Sequence, residues 1–292
     1  KQYENNIPVF WSDSDARANR SANITSLQDG SLQGLNGLPV DGEGIEIMVM
    51  DGGRIFEQHV EFGGAAANPV RVFDKENGQT SYSSHSTSVA GVIGALGLRN
   101  APNFGGTAAS KGVLTHVKLN GYSRETTSLG TNFQKLEAAT GANVSNHSYG
   151  VNLGWAQMAN PVPGWYWIGN YELNSLDTYS GSYGTNDANF DKIVYSNPNH
   201  IIVKSAGNYY GNGPDNSSSV PIFKFDNASQ TYIPFAPTDI IPTLNCSQGY
   251  NCIGWGSLAK NVIVVGATNQ LATLNNSYTS ASDVQKASFS SA

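Results

Sequence analysis

The stretch Ile45-Glu46-Ile47-Met48-Val49-Met50-Asp51-Gly52-Gly53 decides how this 292-residue chain is read. Residues 45–50 form a short apolar run of the kind that makes a buried strand, and the Asp-Gly-Gly after it ends the strand. Downstream, 86–98 reads as a helix of small and aliphatic residues, with Val89, Ala90, Ile93 and Leu96 at helical spacing. Gly91 and Gly94 weaken such a helix in isolation, and they make sense if another element packs closely on it. Further strands are predicted over 113–119, 142–147, 201–206 and 262–266, and further helices over 131–140 and 188–196. Strands alternating with helices imply an α/β fold with a mostly parallel central sheet flanked by helices. In such sheets the active site lies at the carboxyl ends of the strands. That rule selects Asp51, the turn after His147, and Gly207-Asn208.

The rest of the chain is less regular. Residues 1–41 are polar, with one helix expected over 11–19, and Lys1-Gln2-Tyr3-Glu4 looks like a cut end from which a leader has been removed. Two irregular stretches, 151–185 and 211–256, interrupt the pattern. In the first, Trp155, Trp165, Tyr166 and Trp167 are read as local core in preference to a substrate platform. Sixteen basic against twenty-two acidic side chains give a net charge of -6, which argues against a general nucleic-acid binder. No apolar run approaches the length of a membrane span. Only 13% of residues are charged and 39% are hydrophobic, a composition unlike that of disordered chains. The chain has two cysteines, Cys246 and Cys252, spaced too widely for Cys-x-x-Cys and without a second pair for a metal site. A disulfide closing a small loop is favoured over two free thiols, and it would require an oxidising compartment.

Three positions can carry chemistry. Asp51 closes an apolar strand, where it is either a turn residue or a carboxylate directed into a crevice. His85 opens the small-residue helix in Ser84-His85-Ser86-Thr87-Ser88-Val89-Ala90-Gly91. A carboxylate beside such an imidazole fixes its tautomer and stabilises its charged form. Asn208 follows Ser205, Ala206 and Gly207 at a strand end. There its amide is either an ordinary turn group or a donor to a developing oxyanion. No G-x-G-x-x-G or P-loop pattern, His-Glu-x-x-His or Gly-x-Ser-x-Gly is present, which disfavours nucleotide, zinc-peptidase and α/β-hydrolase readings.

Together these segments resemble the subtilisin-like serine peptidases, the subtilases. Met48-Val49-Met50-Asp51-Gly52-Gly53 is similar to the family's Asp motif, with His59 at the position of a His commonly found downstream. His85-Ser86-Thr87-Ser88-Val89-Ala90-Gly91 is similar to its His motif. Val144-Ser145-Asn146-His147-Ser148-Tyr149-Gly150 resembles the strand and turn that bind substrate, and residues 201–208 resemble the strand bearing the oxyanion Asn. Val262-Ile263-Val264-Val265-Gly266-Ala267-Thr268 and Ala287-Ser288-Phe289-Ser290-Ser291 resemble two later landmarks. The likeness runs in order over residues 45–292 and is fullest to secreted bacterial members. It implies a three-layer subtilisin-like domain over 42–292, incomplete at its C-terminal end, with 1–41 packing on it and insertions at 151–185 and 211–256.

The resemblance implies a serine endopeptidase with Asp51, His85 and Asn208 as catalytic residues. It implies substrate binding by Ser148, Tyr149 and Gly150 on one wall of the specificity pocket and Ser205, Ala206 and Gly207 on the other, with room for a large apolar side chain. Ser86 and Ser88 replace the usual Gly and second His, and Lys204 stands where a small residue is usual. Lys204 is left either as a buried, paired charge or as a side chain reaching solvent. The family's Gly-Thr-Ser-x-Ala nucleophile motif is absent, and Ser288, Ser290 and Ser291 do not match it. The expectation is therefore a catalytic serine supplied beyond this chain, with the remaining C-terminal part of the domain as partner and this chain alone inactive. The alternative is a non-catalytic pseudo-peptidase that binds a peptide or protein. The implied substrate is protein or peptide, the implied location secreted or cell-surface. No cofactor is required for the chemistry. Structural calcium is common in the family, and Asp74, Glu76 and Asp215 are the candidates, although ordinary solvated carboxylates are the favoured reading of each.

Overall fold

The computed structural model describes residues 3–4, 7–8, 16–98, 110–172, 179–214, 219–242, 252–269 and 280–291. In chain order the strands and helices begin with β1 (Tyr3–Glu4), β2 (Ile7–Pro8), α1 (Ala16–Ser21) and α2 (Ile24–Gln28). Next come β3 (Glu46–Asp51), β4 (Val72–Asp74), α3 (Ser84–Gly94), β5 (Lys118–Ser123), α4 (Asn132–Ala138) and β6 (Val144–His147). The remainder are β7 (Trp155–Met158), β8 (Gly164–Trp167), α5 (Thr185–Ser196), β9 (Ile201–Ser205), β10 (Ile222–Asp226), β11 (Thr231–Pro234) and β12 (Ile263–Val265). Six strands hydrogen-bond in the order β12-β9-β6-β3-β5-β4. The ladders β12–β9, β3–β5, β3–β6 and β4–β5 are all parallel, which makes the fold α/β. The chain divides into two compact units. One comprises Lys1–Ser148, Asn197–Ile202 and Asn269–Val284; the other comprises Tyr149–Ser196, Val203–Thr268 and Gln285–Ala292.

In the first unit, β3 lies between β5 and β6 and is buried on both faces, which is why its sequence shows no alternation. Ile47 and Val49 join Ile55, Phe62, Val72, Ala90, Val117 and Leu119 in one apolar core, while Met48 and Met50 are fully buried on the opposite face. Helix α3 packs on the Ile47 face through Ala90. Its close approach needs Gly94, where a Cβ would lie 3.1 Å from both Leu119 and Val117. Gly91 itself faces open space, so the expected tight contact holds at only one of the two helix glycines. The helix stops earlier than its apolar pattern suggests. The buried carboxylate of Glu61 takes the N–H groups of Gly97 and Leu98 and turns the chain away.

The strand predicted over 113–119 is displaced. The N–H groups of Val113 and Leu114 bond back to the end of α3, and pairing begins at Lys118. The apolar residues there serve contact with α3. The polar Asn120 lies inside β5 because its amide donates to Glu46.

A buried ion pair fastens the end of β5. Lys135 Nζ donates to Glu76 Oε1 (2.7 Å), Ser123 O (2.7 Å) and Thr126 O (2.6 Å), using all three of its protons. Glu76 accepts in addition from the N–H of Ser123 and the hydroxyl of Ser128. Both charged residues are essentially inaccessible to solvent. A buried pair survives only when its remaining lone pairs and protons are satisfied, as they are here.

The second unit holds a four-stranded sheet in the order β11-β10-β8-β7, inside stretches whose sequence reads as irregular. Its strands are of four or five residues, too short for a two-residue period to stand out, and β8 carries aromatics on both faces. Trp155 meets Trp167 edge-on at 5.3 Å, and Tyr166 stacks on Phe223 at 4.6 Å. Trp155, Tyr166 and Trp167 are fully buried and form local core, as read from the sequence; Trp165 is half-buried.

Lys135→Met, which strands the Glu76 carboxylate, is expected to lower unfolding free energy by about 3–5 kcal/mol. The double variant Glu76→Leu with Lys135→Met is expected to recover most of it. Denaturant unfolding of the three proteins checks this.

Candidate active site

Asp51 is the last residue of β3, and its side chain is 5% exposed. Such a carboxylate needs donors, and two are fixed around it. The N–H of Gly52 lies 2.6 Å from Oδ1, and Nδ1 of His85 lies 2.8 Å from Oδ1 and 2.9 Å from Oδ2. Local sequence brings the histidine there. The Arg54 N–H bonds to Ser81 O, and the Ser83 N–H bonds to Arg54 O, so the chain after Asp51 is zipped to the segment entering α3. Gly53 makes that approach with φ +141, where a Cβ would lie 2.9 Å from Ser83. Ser83 then caps α3 by accepting from the N–H of Ser86, and Thr87 receives the N–H of Phe56. His85 consequently sits in the first turn of α3, its carboxylate-facing nitrogen fixed and its ring 61% exposed.

The charge balance at His85 has a definite sign. The hydrogen bond that His85 donates to Asp51 raises its pKa most; burial and the positive charge of Arg124 oppose, and the Asp51 charge adds to the rise. The charged contact stabilises the fold fully below the ordinary histidine value and is lost as pH rises through the raised one. An imidazole serving as base must be neutral, so its acid limb lies above that ordinary value.

Ser86, where the family has Gly, is fully buried, and among the described residues its hydroxyl has no hydrogen-bond partner. His59 caps a short 3-10 turn through Nδ1 and stands apart from the pair as a structural residue. His147 is core: its Nε2 and that of His200 both meet the hydroxyl of Ser145 at 3.0 Å.

Apart from Ser148, which belongs to the first unit, the other predicted substrate-binding residues and Asn208 lie in the second unit. Gly207 has φ +112, and a Cβ there would strike the Tyr209 ring and the Ser291 hydroxyl. Ser291 holds the turn from both ends, donating its N–H to Gly207 O and accepting from the N–H of Tyr209. Ala206 N–H bonds to Val265 O. Asn208 is exposed, and no hydrogen bond engages its amide among the described residues. Lys204 is buried, and its ammonium donates to the carbonyl of Tyr149 and lies 4.7 Å from the centre of the Tyr149 ring. Ser291 and Tyr209 had no assigned role in the sequence; for Ser291 the only signal was its place in a family landmark.

A model of the subtilase family matches residues 42–292. The chain belongs to the subtilase family. Comparison with curated proteins gave no match. Subtilases are serine peptidases, so peptide-bond hydrolysis and a protein substrate are the family's chemistry. Of the calcium candidates, Asp74 accepts from the N–H groups of Glu76 and Gly78 and lies 3.2 Å from Arg54 Nε, and Glu76 is taken up by Lys135. Asp215 lies outside the described residues. Among the described residues no three His, Cys, Asp or Glu side chains are grouped to hold a metal. Cys252 is fully buried; Cys246 lies outside the described residues.

By NMR titration, the His85 ring of the wild-type subtilase is expected to titrate above about 6.5. In Asp51→Asn its pKa is expected to fall below that of the wild type, because the largest raising contribution is removed.

Proposed function

We propose that this subtilase is a secreted serine endopeptidase in which Asp51 orients His85 and His85 acts as general base and then general acid. The observation that carries this is the contact of the exposed His85 ring with the buried Asp51 carboxylate. The carboxylate holds the proton on Nδ1, which leaves Nε2 to take the proton of a serine hydroxyl and later return it to the leaving amine. The amide of Asn208 is read as the donor to the tetrahedral oxyanion. The serine is assigned to sequence beyond residues 1–292, since no Gly-Thr-Ser occurs here, and the chain alone is then inactive.

The β9–β12 ladder supports a further layer. Parallel strands are ordinarily covered on both faces. Ile263 and Val265, the register partners of Val203 and Ser205, are 54% and 51% exposed, while Lys204 on the other face is buried. We assign that apolar face to the remaining part of the catalytic domain. Substrate is read as adding in extended form beside Ser148, Tyr149 and Gly150, with Ser205, Ala206 and Gly207 as the second wall of a pocket for a large apolar side chain. Secretion accords with pairing of Cys246 with Cys252, which we also propose; the described residues contain no free cysteine. Among the described residues no helix is long and apolar enough to cross a membrane.

The complete natural protein is expected to react with a fluorophosphonate probe on a single serine outside residues 1–292. Labelling is expected to drop steeply in His85→Ala, as intact-mass and peptide analysis would record. A complete protein that stays unlabelled while binding peptides would favour the pseudo-peptidase.

A further inference from the structure

We propose that Lys204 and Tyr209 are positioning residues that clamp the backbone at Tyr149 and Val151 and so keep Ser148 and Gly150 open to the main chain of a substrate. The inference rests on the peptidase reading above and adds to it the residues that shape its binding edge.

The clamp is visible in two hydrogen bonds. The Lys204 ammonium donates to Tyr149 O, and the Tyr209 hydroxyl donates to Val151 O. The two carbonyls belong to alternate residues. In an extended segment the N–H and C=O of one residue face one side, and those of its neighbours face the other. Lys204 is 2% exposed, so the Tyr149 carbonyl it holds is turned inward. Ser148 and Gly150 then present their backbone groups on the opposite side. Among the described residues nothing hydrogen-bonds to the backbone of either one, and Gly150 is exposed. An unpaired backbone edge of this kind is what an added strand uses.

The energetics explain why a lysine stands where a small residue is usual. A buried ammonium is tolerated only with partners. Here it has the Tyr149 carbonyl and, at 4.7 Å, the face of the Tyr149 ring. Its stem passes Gly256 (φ +84), where a Cβ would lie 3.0 Å from Lys204 Cε. Swinging the Tyr149 carbonyl outward would strip the ammonium of that acceptor, so the charge penalises distortion of the edge. Tyr209 adds a second point two residues on, and its N–H is itself held by Ser291, tying the edge to the turn that carries Asn208.

The test uses the complete natural protein carrying Tyr209→Phe, which removes one hydroxyl, or Lys204→Met, which keeps the stem and removes the charge. Substrates are a peptide amide with four residues before the scissile bond and a one-residue ester too short to lie along the edge. For the peptide, KM is expected to rise about fivefold in Tyr209→Phe and about tenfold in Lys204→Met. The kcat for the peptide is expected to move less than twofold, and the ester to lose less than the peptide. Unchanged KM for the peptide, or equal kcat losses on both substrates, overturns the proposal. Should Lys204→Met fail to fold, Tyr209→Phe decides. If the wild type cleaves neither substrate but binds the peptide, the peptidase reading alone fails. The clamp is then judged from Kd, with the same fold losses expected. Absence of peptide binding overturns both.

Discussion

A carboxylate buried at the end of a parallel strand constrains everything near it. Asp51 cannot lie 5% exposed at the tip of β3 without fixed donors, and the surrounding sequence exists to supply them. Gly52 gives its N–H, Gly53 permits the close pass to Ser83, and the Arg54 to Ser81–Ser83 bonds set where α3 starts. His85 reaches the carboxylate because of that start. The hydrogen bond is thus a product of the fold and a condition on it. It also raises the pKa of the exposed His85 imidazole, the group proposed as the base.

Two other buried charges follow the same logic. Lys135 and Glu76 satisfy each other and also take both backbone groups of Ser123, the register partner of Asp51. Arg124, next in sequence, gives its N–H to Asp51 O. The strand end beside the candidate base is therefore held by a saturated ionic network, a rigid support of the kind precise sites require. Lys204 does similar work in the second unit, at the edge read as substrate-binding. Each is a place where the chain breaks the rule that charges stay outside, and each lies next to residues with a proposed role.

The α/β class, β3 and the Asp51–His85 pair were legible because long-range patterning and strand-end chemistry leave strong local marks. An apolar run closed by Asp-Gly-Gly and a histidine opening a helix of small residues need no tertiary knowledge to be noticed. The start of β5 was not legible, because Val113, Leu114 and Val117 are apolar for contact with α3 and Asn120 is polar for a bond to Glu46. The β7–β8–β10–β11 sheet was hidden by the shortness of its strands and by the aromatics on both faces of β8. The clamp on Tyr149 and Val151 joins residues over fifty positions apart, and only coordinates reveal it. Lys204 was conspicuous as a departure, yet its partner, a backbone carbonyl, carries no sequence signal.

The central claim is that Asp51 acts through His85. A double-mutant cycle on kcat/KM in the complete natural protein tests it most directly. His85→Ala is expected to cost on the order of 10⁶-fold, as in subtilisin, and Asp51→Ala less. The account predicts that the double variant is no slower than His85→Ala alone, because the carboxylate has nothing left to orient. Losses that multiply would show Asp51 acting independently and would contradict it.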